Sequence, residues 1–206
     1  PGNEGILIST RFGNTNQLHI VGSPGAFRNQ VTFFEEPVTN GTFCPMPEYN
    51  GFLFTKDEGG NEFSQIYWYD MKARNAEMLS DGTSVNFGIL WSNRGDKFAF
   101  TSTRRNSIDF DVYVTSMDSP KEADLKIDRG TGYWIPADWS ADDSQLIIVQ
   151  YLSSTKTNSF ILDLESGTLS PLNKEGQESI FSAIAWDRSG KNIYVITDEG
   201  KEFSTL

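Results

Sequence analysis

Trp91-Ser92-Asn93-Arg94-Gly95-Asp96-Lys97-Phe98-Ala99-Phe100 decides the fold, because the chain repeats it. Trp139-Ser140-Ala141-Asp142-Asp143-Ser144-Gln145-Leu146-Ile147-Ile148 and Trp186-Asp187-Arg188-Ser189-Gly190-Lys191-Asn192-Ile193-Tyr194-Val195 follow, with the tryptophans 48 and 47 residues apart. A degenerate copy, Pro47-Glu48-Tyr49-Asn50-Gly51-Phe52-Leu53-Phe54, stands 44 residues before the first, and Gly5-Ile6-Leu7-Ile8 lies 46 residues before Gly51 in the same phase. Self-similarity at a fixed spacing of this length is the signature of a repeat architecture.

Each anchor pairs a tight turn with a short apolar run. Asn50-Gly51 is the strongest hairpin signal, since both residues accept positive φ at little cost; Arg94-Gly95, Asp142-Asp143 and Ser189-Gly190 stand in the other copies. The runs Phe52 to Phe54, Phe98 to Phe100, Leu146 to Val149 and Ile193 to Ile196 are continuously apolar, which requires cover on both faces of the strand. A second strand follows each anchor: Gln17 to Val21, Gln65 to Tyr69, Asp111 to Val114 and Ser159 to Leu162. A shorter polar one comes next, such as Gln30 to Phe34, Ala76 to Leu79 or Thr168 to Leu172, and a fourth leads into the next tryptophan, such as Val85 to Leu90 or Ile180 to Ala185. Four strands per repeat predict an all-β protein, a β-propeller of four-stranded antiparallel blades. The blades are placed at about 1–38 (partial), 39–82, 83–129, 130–175 and 176–206 (partial), within one domain. Both end blades contain an anchor strand, so they duplicate rather than complete each other. The expectation is an incomplete ring of four to five blades whose exposed ends favour self-association. Trp91, Trp139 and Trp186 are read as wedges between neighbouring sheets, and Gly51, Gly95 and Gly190 as turn anchors.

The composition narrows the chemistry. Seventeen Lys and Arg against 28 Asp and Glu give a net charge of −11 over 206 residues, with the basic residues scattered, so a nucleic-acid-binding stripe is not expected. Leu146 to Val149, the longest aliphatic run, is far short of a bilayer span, and no membrane insertion is expected. One cysteine, Cys44, excludes an internal disulfide and a cysteine-built zinc site, and fits a cytoplasmic or a periplasmic protein equally. The chain starts at Pro1 without an initiator Met or an apolar signal core, as a processed segment does.

The Trp-Ser-x-x-Gly anchor followed by an Ile/Val-Tyr strand resembles the repeat of TolB-like propellers and of the propeller that caps prolyl oligopeptidase-type serine peptidases. Leu7-Ile8-Ser9-Thr10-Arg11-Phe12-Gly13-Asn14-Thr15-Asn16-Gln17-Leu18-His19, continuing through Gln30 to Val38, is similar to the first blade of bacterial acylaminoacyl-peptidase and dipeptidyl-peptidase relatives. Ser102 to Asn106 and Thr197 to Gly200 resemble loops of the same group. The resemblance implies a non-catalytic domain that gates or orients peptide substrates for a serine peptidase domain absent from this chain. The alternative is a TolB-like scaffold that binds protein partners without an associated enzyme.

Individual residues point to no chemistry of their own. The Gly-x-Ser-x-Gly elbow of α/β-hydrolases is missing; Gly82-Thr83-Ser84-Val85-Asn86 is its nearest approach and lacks the last glycine. His19, the sole histidine, occupies the slot of Tyr67 and Tyr113 in later repeats, which suits a packed ring with one satisfied nitrogen. Glu35 and Glu36 are the substrate-binding candidates: in some dipeptidyl peptidases a propeller-borne Glu pair grips the substrate's amino terminus, although a solvated linker is the default for this position. Arg104 and Arg105 suit an exposed turn, or recognition of a carboxylate. Asp138, Asp142 and Asp143 lack the spacing of a calcium loop, and neither metal nor cofactor is expected. Asn40-Gly41-Thr42 matches a glycosylation sequon to which no function is assigned, and the sialidase-type Asp box is missing.

Overall fold

The computed structural model describes residues 5–174 and 176–206. They form no helix, and so no helix long and apolar enough to cross a membrane; their strands make five antiparallel up-and-down sheets. Two compact units divide the chain, Pro1–Phe87 and Gly88–Leu206.

In the first unit, β1 (Ile6–Arg11), β2 (Asn16–Val21) and β3 (Arg28–Gln30) form a three-stranded sheet. The next sheet holds β4 (Thr39–Phe43), β5 (Gly51–Lys56), β6 (Gln65–Asp70) and β7 (Asn75–Met78) in that order. Strand β5 is buried along its whole length, as its unbroken apolar run requires. Leu18, Val38, Phe52, Phe54 and Tyr67 make the core of this unit. The rings of Phe54 and Tyr67 stack at 5.2 Å across the β5–β6 pair.

The next sheet, in the second unit but for the first two residues of β8, holds β8 (Asn86–Trp91), β9 (Lys97–Ser102), β10 (Asp111–Ser116) and β11 (Ala123–Ile127). A second sheet is β12 (Tyr133–Trp139), β13 (Gln145–Ser153), β14 (Lys156–Asp163) and β15 (Leu169–Pro171), and a third pairs β16 (Phe181–Trp186) with β17 (Ile193–Thr197). Val112, Ile127, Trp134, Trp139, Leu146, Ile148 and Leu162 belong to one buried cluster. Strand β17 departs from the expectation of cover on both faces: Tyr194 and Ile196 are exposed, because its described sheet has only two strands.

The polar outer strand of the first sheet ends at Gln30, four residues before the expected Phe34. Leu18 N donates to Thr32 Oγ1 at 2.8 Å, so a side-chain oxygen takes the place of the next backbone carbonyl and the ladder stops. The same substitution recurs where Ile66 N meets Ser80 Oγ (2.9 Å) and Ser159 N meets Asn173 Oδ1 (3.0 Å).

One expectation about the turns needs correction. Gly51 does not supply positive φ to a hairpin; it lies inside β5, where a Cβ would stand 2.3 Å from the Tyr69 carbonyl oxygen and 2.4 Å from the Trp68 indole. The turn precedes it, closed by Tyr49 N to Met46 O at 3.2 Å. The left-handed position of the repeat is filled by Gly95 (φ 77°), Asp143 (φ 61°) and Gly190 (φ 68°). Asp143 tolerates that conformation because its carboxylate is held: Asn93 N and Nδ2 each donate to Oδ1 at 2.8 Å, and Arg94 N to Oδ2 at 3.1 Å.

Candidate functional site

In each of the first four sheets, the strand after the anchor strand carries a buried polar side chain at its first or second residue. Gln17, Gln65, Asp111 and Thr157 hold this place, and sequence reading passed over them. Their common work is to fasten loops. Gln17 Nε2 donates to the carbonyls of Phe34 and Glu36 at 3.0 Å each, while its Oε1 accepts from Phe34 N at 3.0 Å. Gln65 spans from Ser84 O (2.7 Å) to Ser80 Oγ (2.7 Å) and Gly82 N (3.0 Å). Thr157 Oγ1 accepts from Phe181 N at 2.8 Å. The available signal was the alignment itself: a hydrogen-bonding residue recurring at the head of an apolar strand.

The loop fastened by Gln17 walls a concavity of about 560 Å³, bounded by the β1–β2 hairpin and the segment after β3. Phe12, Asn14, His19, Phe33, Phe34 and Glu35 contribute to its lining. Phe12 and Phe33 are 65% and 77% exposed, unusual for rings that share a cavity. His19 is 1% exposed. Its Nδ1 lies 3.0 Å from the Gln17 carbonyl, which only accepts, so Nδ1 carries the proton and Nε2 is left as a lone pair. That Nε2 is buried without a partner. The Phe12 ring stands at 84° to the imidazole with centroids 5.1 Å apart. His19 is thus a packed ring with one satisfied nitrogen, and the other faces no donor.

The two candidate glutamates are separated in role. Glu35 is exposed at the cavity and has no partner among the described residues. Glu36 turns toward the next sheet, accepting from Gly59 N at 3.2 Å and pairing with Lys56 Nζ at 3.4 Å. The Gly59 amide and the Lys56 ammonium hold its carboxyl below the usual range. Lys56 is itself buried, 5.3 Å from the Phe34 centroid and 5.1 Å from that of Tyr67. Burial, and the Glu58 carboxylate accepting its hydroxyl at 2.9 Å, push the Tyr67 phenol well above its ordinary pKa.

The second unit places the other singled-out residues. Arg104 lies 4.9 Å from the ring centroids of both Phe100 and Tyr113. Arg105 is no idle turn residue: it donates to Asp111 Oδ2 at 2.8 Å and Asp109 Oδ2 at 2.9 Å, and Asp111 is wholly buried. Trp139 donates through Nε1 to Leu90 O at 3.2 Å, Trp91 meets Phe98 edge-on at 5.5 Å, and Trp186 is half-buried. Three aspartates are engaged separately: Asp138 Oδ2 accepts from Trp186 N (2.8 Å), Asp142 Oδ1 from Ser140 and Ser144 (2.7 Å each), and Asp143 from residues 93 and 94. A concavity of about 550 Å³ in this unit is lined by Asp96, Lys97, Glu122, Asp124 and Lys126, a polar and mixed-charge wall. In the first unit, Ser84 Oγ donates to Asp81 Oδ2 at 2.5 Å, whereas His19 is bonded to Gln17. The site in the first unit therefore offers aromatic surface, one carboxylate and one unfilled acceptor, all suited to binding.

No family model and no curated protein sequence matches the chain. Among solved structures, TolB from Acinetobacter baumannii aligns with a TM-score of 0.66 at 15% identity, over 88% of this chain and 43% of that one. An oligogalacturonate lyase from Vibrio parahaemolyticus aligns with a TM-score of 0.67 at 12% identity, over 94% of this chain and 56% of that one. A chain of a nidogen/laminin complex aligns with a TM-score of 0.60 at 16% identity, over 88% of this chain and 67% of that one. This chain therefore spans about half the length of the TolB and the lyase. At such identities the likeness is one of architecture, which hosts unrelated functions. The repeat, the up-and-down sheets and these neighbours agree: the fold is that of a TolB-like β-propeller.

Proposed function

We infer that this chain is a protein-binding propeller module whose loop face in the first unit docks a segment of another polypeptide. The observation that carries the reading is the pair of exposed rings, Phe12 and Phe33, on the rim of a concavity whose wall is fastened by Gln17. Exposed aromatic side chains on a rigid support give contact area at a small entropic cost, which is why they dominate binding surfaces. One structural neighbour is a chain of a protein complex, which suits such a role. The gating of peptides for a peptidase is the second reading. Its support is the resemblance of the loops; on that reading Glu35, which lines the cavity, would meet the substrate alone, since Glu36 is paired with Lys56.

Site-specific photocrosslinking tests the docking. A benzophenone side chain at Phe33 is expected to give a discrete adduct with another polypeptide in extracts of the source cells, and one at Arg188 in a turn of the second unit is not. Equal labelling at both positions, or none at Phe33, would overturn the reading. Turnover of dipeptidyl chromogenic substrates by the purified chain would overturn the non-catalytic assignment.

A further inference from the structure

The geometry points to an arginine side chain of the docked segment as the group that fills the cavity of the first unit. Its guanidinium would lie against Phe12 and Phe33, donate one N–H to His19 Nε2 and pair with Glu35. This inference rests on the docking reading and specifies its chemistry.

Three features select the ligand. His19 Nε2 is an acceptor without a donor inside a ring that is 1% exposed, so the occupant must bring an N–H or O–H. Glu35 is an exposed carboxylate with no partner among the described residues, so the occupant gains by being cationic. Phe12, Phe33 and Phe34 line the same cavity. A guanidinium answers all three, because it is planar, always charged and carries five donors in a fixed fork. An ammonium is a compact point charge that cannot lie flat on a ring while reaching two acceptors. The protein's own Arg28 shows that the ring accepts such a group: its guanidinium carbon is 5.3 Å from the Phe12 centroid. The net charge of −11 draws a basic segment toward the surface. Nε2 is buried, and Phe12, whose ring packs edge-on against the imidazole, is an exposed side chain that changes rotamer on the picosecond-to-nanosecond scale, so the inference includes a rearrangement of the rim on binding.

The sole histidine makes the test direct, since long-range ¹H–¹⁵N spectra of the intact chain show a single imidazole. The probe is acetyl-Gly-Arg-Gly-amide, compared with its lysine and citrulline counterparts. The arginine peptide is expected to move the Nε2 resonance upfield by several ppm with little change at Nδ1, and to bind about tenfold more tightly than the uncharged citrulline form. Glu35→Gln and Phe33→Ala should each weaken it about three- to tenfold. An Nε2 signal unmoved at about 10 mM peptide, or citrulline binding equal to arginine, overturns the assignment. If the Phe33 photoadduct still forms in that case, the docking reading stands and only the arginine is wrong; loss of the photoadduct overturns docking itself.

Discussion

Asp143→Ala tests whether adjacent turns of the second unit are held together by one buried carboxylate. Asp143 is 2% exposed and accepts three hydrogen bonds from Asn93 and Arg94, about 50 residues earlier in the chain. A hydrogen bond to a charged group contributes about 1.5 to 3 kcal/mol, but the three share one carboxylate and do not add. Asn93 and Arg94 are exposed, so water recovers part of the loss at their amides. Alanine at φ 61° adds about 1 kcal/mol of backbone strain. The expected cost is about 3 to 4 kcal/mol. Asp143→Gly removes the same acceptors without the strain and should fall about 1 kcal/mol short of the alanine variant. Urea unfolding of both variants measures the difference through the midpoint at constant slope. A glycine variant within about 0.3 kcal/mol of the parent would show that the carboxylate holds nothing together. Equal midpoints for the two variants would refute the strain component.

Trp139→Ala should cost about 3 to 5 kcal/mol, since it empties a buried site and removes the bond to Leu90 O; an unchanged urea midpoint would contradict its place in the core. Gly51→Ala should destabilise by about 1 to 3 kcal/mol through its clash with the Tyr69 carbonyl, and a neutral thermal melt would show that β6 yields. Arg105→Ala should lower the midpoint, because it leaves the buried Asp111 carboxylate unpaired, and Asp111→Asn should restore part of the loss in the double variant. Asp142 and Asp187 have pKa values lowered to about 2, the first by Ser144 and Ser140, the second by Asn192 and Ser189. Depressed carboxylates stabilise the fold above their unfolded pKa, near 3.8, and lose that contribution as pH falls toward 2. Asp142→Asn with Asp187→Asn should therefore flatten the acid limb between pH 4 and 2, which thermal melts across that range would reveal.

Several particulars resisted sequence reading for one physical reason. Asn50-Gly51 looked like the turn of its repeat because the dipeptide is a strong local signal; Gly51 is instead two places beyond it, opposite Asp70, where only the Trp68 and Tyr69 atoms of another strand explain the missing side chain. Arg105 looked exposed because its partner Asp111 becomes a buried anion only when β10 is covered. Glu35 and Glu36 looked like one acidic pair, yet Lys56, 20 residues away, claims one of them.

The sequence by itself determined the architecture. The spacing of Trp91, Trp139 and Trp186 sets the repeat, and runs such as Phe98-Ala99-Phe100 require strands covered on both faces, since backbone period and burial are local properties that recur wherever the pattern does. It also placed His19 in an aromatic slot. Only the tertiary structure decided that His19 Nε2 has no partner, that Gln17 closes the loop beside it, and that Phe12 and Phe33 share one concavity. The polar atoms of these side chains are satisfied by whichever segment packs against them, 17 residues away for Gln17 and Phe34 and 50 for Asn93 and Asp143.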